Sequence, residues 1–169
     1  MNEKKFPMNE SDLKQLLTKY ETPLQVYFED EILENGEELN KSFSWNKGFK
    51  EFFAVKATPN PKIMKLLHEK LNFGMDCSSL AELLLCERVG IKGEDIMFTS
   101  NDTPAEEFVK AYELGAVINL DDISHIDFLE KSLGGKFPEL ISFRYNPGPL
   151  KKGNDIIGNP EEAKYGLTR

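Results

Sequence analysis

A lysine inside an apolar run is the first residue here that could do chemistry. Lys56 interrupts Phe52-Phe53-Ala54-Val55-Lys56-Ala57. Lysine is rarely buried without a partner. Burial favours the neutral, nucleophilic amine that Schiff-base chemistry needs. The competing reading is a strand-end lysine whose ammonium reaches back to solvent along its own stem.

Other polar residues recur where apolar runs end. Thr58 follows the first run, and Asp76, Cys77 and Ser78 follow the second. Ser100, Asn101 and Asp102 follow the third, Asp121 and Asp122 the fourth, and Arg144, Tyr145 and Asn146 the fifth. Asp76 reads as a carboxylate satisfying loop donors at a helix start. Arg144 reads as a buried ion-pair partner of Asp76 or Glu82. Glu82 is accounted for by a capping box. His68, on an amphipathic helix and expected to be exposed, and His125 carry no functional signal. Cys77 reads as a small packing residue, and Cys86 lies within a helix.

These positions depend on a regular scaffold. Five β-like runs begin near Phe52, Gly74, Ile96, Val117 and Glu139, at steps of 22, 22, 21 and 22 residues. Each precedes a helical pattern: Ile63, Met64, Leu66 and Leu67, then Leu80, Leu83 and Leu84, then Phe108, Val109, Ala111 and Tyr112. Asn60 before Pro61 suits a helix start. Ser79-Leu80-Ala81-Glu82 and Thr103-Pro104-Ala105-Glu106 fit capping boxes. Gly90 and Gly115 fall where helices should stop. Strands alternating with helices predict a parallel sheet with helices packed on it. Two architectures remain open, a doubly wound sheet and a (β/α)8 barrel, and both bind ligands at the C-terminal strand ends. No Gly-x-Gly-x-x-Gly follows the first strand, so the dinucleotide fingerprint is missing. Upstream, Ser11 is expected to cap a helix with Leu13, Leu16, Leu17 and Tyr20 on one face. Leu24-Gln25-Val26-Tyr27-Phe28 reads as a strand, and residues 29–48 as a helix and a connection.

Composition narrows the partners. The 169 residues carry 21 Lys and Arg against 29 Asp and Glu, a net charge of −8. Such a surface disfavours nucleic acid and anionic lipid, and no apolar run is long enough to span a bilayer. The two cysteines are too few for a zinc site, so no metal is expected. Reduced thiols suit a cytoplasmic location.

Several segments together resemble one family. Phe53-Ala54-Val55-Lys56-Ala57-Thr58-Pro59-Asn60-Pro61 resembles the lysine motif of the alanine-racemase-like, fold-type III pyridoxal-phosphate enzymes. Gly74-Met75-Asp76-Cys77-Ser78-Ser79 with Glu82 resembles the second-strand motif of their decarboxylase branch. Phe143-Arg144-Tyr145-Asn146-Pro147-Gly148 resembles its fifth-strand arginine motif, and Ala163-Lys164-Tyr165-Gly166-Leu167 the segment that follows. Thr22-Pro23-Leu24-Gln25-Val26-Tyr27 is similar to the opening of the diaminopimelate decarboxylases within that branch. The resemblance implies a pyridoxal 5'-phosphate-binding (β/α)8 TIM-like barrel, incomplete in this chain, with Lys56 as the Schiff-base lysine. It implies cofactor contacts at Asp76 and Arg144, an entrance-loop position for Lys164 whose plainer reading is a solvated lysine, a small amino-acid substrate and a homodimer. It assigns residues 1–48 to a segment that joins a C-terminal β-domain, and residues 49–169 to the first five βα units. The family's stacking histidine, glycine-rich phosphate loop and Glu-Pro-Gly-Arg segment do not occur in the 169 residues. The chain is therefore expected to be a fragment that does not sustain decarboxylation alone.

Overall fold

The computed structural model describes residues 6–153, 156, 158–162 and 165–167. The chain divides into two compact units, Met1–Trp45 and Asn46–Arg169.

The first unit holds α1 (Glu10–Lys19) and α2 (Glu29–Ser42). Asn9, not Ser11, caps α1: its side-chain oxygen accepts from the Asp12 N–H at 2.9 Å. Ser11 lies one residue inside the helix. Leu17 and Tyr20, two members of the expected apolar face, are exposed. Residues 24–28 are irregular rather than a strand. A strand requires ladder partners for its N–H and C=O groups, and the sheet of this protein pairs none with them.

The second unit carries β1 (Phe52–Ala54), β2 (Gly74–Cys77), β3 (Ile96–Thr99), β4 (Val117–Leu120) and β5 (Ile141–Phe143). All adjacent pairs are parallel, and the order is β1-β2-β3-β4-β5. This order separates the two open architectures. A doubly wound sheet reverses direction at a switch point, whereas here each strand adds to the same edge, as in the arc of a barrel. Between the strands run α3 (Pro61–Leu71), α4 (Leu80–Val89), α5 (Ala105–Glu113) and α6 (His125–Ser132).

Alternation along the strands sorts the side chains into two layers. Met75, Cys77, Ile96, Phe98, Ile118 and Leu120 are fully buried and form one layer. They meet Met64 and Leu67 of α3, Leu83 and Cys86 of α4, Phe108 and Ala111 of α5, and Leu129 of α6, all buried. Leu84 and Tyr112, both expected on apolar faces, are instead exposed. The other layer contains Asp76, Met97, Thr99, Asn119 and Ser142, which are half-buried.

The helix ends show which local signals act. Asn60 accepts from the Lys62 N–H at 3.0 Å ahead of Pro61. Gly90 closes α4 in the left-handed region at φ +84°, and Gly115 follows α5 at φ +71°. The Thr103 box does not form: Pro104 is the N-cap of α5, and the buried Thr103 hydroxyl has no hydrogen-bond partner among the described residues. His68 is half-buried rather than exposed. Its Nδ1 lies 3.0 Å from the Phe73 carbonyl oxygen.

Close strand approach explains Gly74. A Cβ there would lie 2.5 Å from the Phe52 ring and 2.9 Å from the Asp95 carbonyl oxygen. Gly74→Ala is expected to lower stability by about 1–3 kcal/mol, the usual cost of overpacking. Urea denaturation measures it; an unchanged midpoint would show that Phe52 moves aside freely.

Candidate functional site

The candidate site lies at the C-terminal ends of the strands. β1 ends at Ala54, and Val55–Ala57 form a 3-10 turn. Val55 is fully buried, and the turn leaves Lys56 exposed. Of the two readings of Lys56, the structure shows the solvent-reaching lysine at the strand end rather than a buried one. The chain leaves the sheet one residue before Lys56, so the amine is open to a ligand.

Asp76 pairs in register with Ala54 on one side and Met97 on the other. Burial pushes its carboxyl above the ordinary carboxylate range. Lys56, a hydrogen bond from Thr99 and the more distant Arg144 oppose that shift, while Glu82 adds to it. Asp76 is thus a partly desolvated carboxyl between two cations. It does not serve the loop donors. Glu82 accepts from the Ser78 N–H at 2.9 Å and from the Ser79 hydroxyl at 3.0 Å. Glu107, reaching across from α5, accepts from the Leu80 N–H at 2.9 Å. The expected capping box at Ser79 is thereby replaced: Ser79 donates to Glu82 and makes no cap bond of its own.

The raised Asp76 carboxyl has a consequence for stability. The folded state holds this proton more tightly than the unfolded chain does. Asp76 therefore contributes stability that is fully present below the ordinary carboxylate value and is lost as pH rises through the folded value. Asp76→Asn is expected to remove that acid-side contribution. Urea denaturation of both forms from about pH 3 to 7 should show the stability difference changing across the carboxylate range. A difference independent of pH would refute the burial argument.

On the far side, Arg144 follows β5, and its backbone N–H donates to the Leu120 carbonyl at 2.9 Å. Its guanidinium donates from Nη1 to Asp121 Oδ1 at 3.2 Å. The ion pair therefore forms with the buried Asp121, not with Asp76 or Glu82. The guanidinium carbon also lies 4.8 Å from the Tyr165 ring centroid. A backbone ladder brings Tyr165 there: the Leu167 N–H donates to the Arg144 carbonyl at 2.7 Å, and the Asn146 N–H to the Leu167 carbonyl at 2.8 Å. Gly166 permits it at φ +83°, with a Cβ position only 3.0 Å from the Arg144 carbonyl oxygen. Lys164 lies outside the described residues.

Thr99 and Asn119 were missed in the sequence. Asn119 Nδ2 donates to Thr99 Oγ1 at 3.3 Å. Their signal was available: Asn119 is a polar residue inside an otherwise apolar strand and Thr99 ends β3, both on the same face as Asp76.

The parallel βα arc places an exposed amine, a half-buried carboxyl and a guanidinium at the C-terminal ends of its strands, on a barrel-type scaffold. Residues 29–169 match the family model described as the pyridoxal-dependent decarboxylase, pyridoxal binding domain. The chain belongs to that family. It is similar to the protein TabA of Pseudomonas amygdali pv. tabaci, with 36% identity over 96% of this chain and 36% of that protein. It is also similar to diaminopimelate decarboxylase of Methanothermobacter thermautotrophicus, with 34% identity over 93% of this chain and 36% of that protein. Among solved structures, the diaminopimelate decarboxylase of M. jannaschii in co-complex with L-lysine superposes with a TM-score of 0.79. It is 29% identical and is matched over 91% of this chain and 37% of its own. The chain thus spans about a third of the length of these relatives.

The cofactor of this domain is pyridoxal phosphate, and the donor set fits it. An exposed primary amine can attach an aldehyde, and its charge acts on the half-buried Asp76 carboxyl. Among the described residues no helix is long and apolar enough to cross a membrane.

Proposed function

We propose that the protein decarboxylates meso-diaminopimelate to L-lysine and carbon dioxide, with Lys56 as the cofactor-attaching lysine and Asp76 and Arg144 as its charged neighbours. The observation that carries this reading is the open Lys56 amine at the strand ends, electrostatically coupled to Asp76. Pyridoxal phosphate, when bound, supplies an electron sink for the pair left behind when a carboxylate departs as carbon dioxide. Lys56 would hold the cofactor through its amine, and the free amine would carry a proton at Nζ. Asp76 steadies that ammonium. Arg144, fixed by Asp121 and Tyr165, keeps a positive charge at the mouth for an anionic group. Lys164 is assigned to the entrance loop. Residues 1–48 are assigned to packing with a β-domain elsewhere in the protein, and the assembly to a cytoplasmic homodimer.

The names of several relatives support diaminopimelate as substrate. A second reading keeps the chemistry and changes the amino acid to another basic one, such as ornithine, lysine, arginine or carboxynorspermidine. The similarity to TabA favours keeping it, because that name specifies no substrate.

The test is to load the protein with pyridoxal phosphate, reduce it with borohydride and map the pyridoxyl group by peptide mass spectrometry. The group is expected on Lys56. No label, or a label on another lysine, would overturn the assignment. A product screen then separates the substrates: lysine from diaminopimelate, or a diamine from the alternatives.

A further inference from the structure

Asn146 has no part in the function proposed above, yet it is buried beside Arg144 at the end of β5, with 7% of its surface exposed. Both ends of its side-chain amide are engaged. Nδ2 donates to the Tyr165 carbonyl at 2.8 Å and to the Pro160 carbonyl at 3.0 Å. Oδ1 accepts from the Gly148 N–H at 2.8 Å. The partners fix which end is nitrogen, since an amide NH2 only donates and a carbonyl oxygen only accepts. One side chain thus grips the loop after β5 where it departs at Gly148, again at Pro160, and where it returns at Tyr165. Leaving such buried donors unpaired is costly, so the loop is held closed.

We propose that Asn146 is a positioning residue: by holding the Tyr165 carbonyl it keeps the Tyr165 ring against the Arg144 guanidinium and so sets where the cation at the mouth points. The inference rests on the reading of Arg144 as the charge kept for an anionic group. Arg144 needs such support because its side chain is 43% exposed. The bond to Asp121 Oδ1 at 3.2 Å holds one corner of a planar group with several donors. The Tyr165 ring, 4.8 Å from the guanidinium carbon, limits where the rest can swing. Asn146 acts through that ring.

Gly166 belongs to the same device. A Cβ there would lie 3.0 Å from the Arg144 carbonyl oxygen and 3.2 Å from the Asn146 Cβ. A side chain at this position would lift the returning segment off β5 at the point where Asn146 holds it, so Gly166→Ala disturbs the contact without touching the amide.

The experiment compares Asn146→Asp with the unaltered full-length protein. Aspartate has nearly the shape of asparagine and keeps the acceptor for Gly148, but its carboxylate has no proton for the Tyr165 and Pro160 carbonyls. NMR reads the ring-current displacement of the Arg144 Cδ protons, and Tyr165→Leu marks its full loss. Asn146→Asp and Gly166→Ala are each expected to lose most of that displacement. Steady-state kinetics with meso-diaminopimelate read the consequence. Asn146→Asp should raise KM roughly two- to fivefold, the size of an exposed cation–π contact, and change kcat by less. Combined with Tyr165→Leu it should add nothing further, because both act at one contact. A residue that only held the fold together would not produce that split or that non-additivity. Should Asn146→Asp fail to fold, Asn146→Ala removes the same donors without adding charge and is judged in the same way. A displacement kept in full, or KM effects that add in the double variant, overturns the proposal. In those cases pyridoxyl label on Lys56 of the unaltered protein still upholds the proposed function. Absence of that label, with the Arg144 displacement lost as described, counts against the function and for the Asn146 latch.

Discussion

Lys56→Ala is expected to abolish borohydride-trapped pyridoxal phosphate at this position and to cut decarboxylation by the full-length protein roughly 10²–10⁴-fold, the range supplied by a positioned proton-transferring side chain. Two features motivate the size of the effect. The amine is exposed at the strand ends, and Asp76 is the carboxyl whose charge state it influences. Removing the amine therefore removes both the attachment point and the proton carrier. Lys56→Arg separates nucleophile from charge. Arginine keeps the cation beside Asp76 but stays protonated and cannot attach an aldehyde. It should match alanine in losing the label while disturbing the Asp76 titration less. Turnover within a few-fold of the unaltered protein in both variants would remove Lys56 from the chemistry.

The difference between what Lys56 was expected to be and what it is shows the reach of sequence reading here. The spacing of apolar runs located all five strands to within two residues, with β5 beginning at Ile141 rather than near Glu139. That worked because strand and helix periods are local properties of the chain. Strand order was not local: both barrel and doubly wound sheet fitted the same periodicity, the family resemblance pointed to the barrel, and the pairing β1-β2-β3-β4-β5 agrees with it. The end of β1 was not legible either. Val55 continues the apolar pattern because it is buried, although its backbone has already turned.

Electrostatic partners were the least legible part. The Ser79 and Thr103 boxes had the right residues at the right spacing, yet neither formed: Glu82 and Glu107 took the donors at the first, and Pro104 became the N-cap at the second. Glu107 is 27 residues from the N–H that it satisfies. Arg144 finds Asp121 rather than Asp76 because Asp121 follows the neighbouring strand β4, to which Arg144 is already hydrogen-bonded through its backbone. Such choices depend on which groups the fold brings within about 3 Å. Local windows do not contain that information. Lys56, Asp76 and Arg144 were singled out because each stands at or beside a strand end, where such scaffolds bind ligands.

The two layers of the sheet lead to the second large effect. Phe98 and Thr99 are consecutive residues of β3 that point to opposite faces. Phe98 is 1% exposed, and its ring meets Phe108 edge-on at 6.4 Å between centroids. It sits in register between Cys77 and Ile118, both fully buried. Phe98→Ala is expected to cost about 3–5 kcal/mol, from lost transfer free energy and the cavity left behind. That is a large fraction of the stability of a domain this size. At temperatures where it remains folded, the variant should still label at Lys56, because Phe98 faces the helices, on the sheet face opposite Asp76. Chemical denaturation and label mapping on this variant measure both halves of the expectation. Were Phe98→Ala to lose less than about 1 kcal/mol, below the range for such truncations, the helix-facing layer would not be the core. Were it to abolish labelling while still folded, the two faces would not be independent, and the scaffold would be setting the chemistry through its packing.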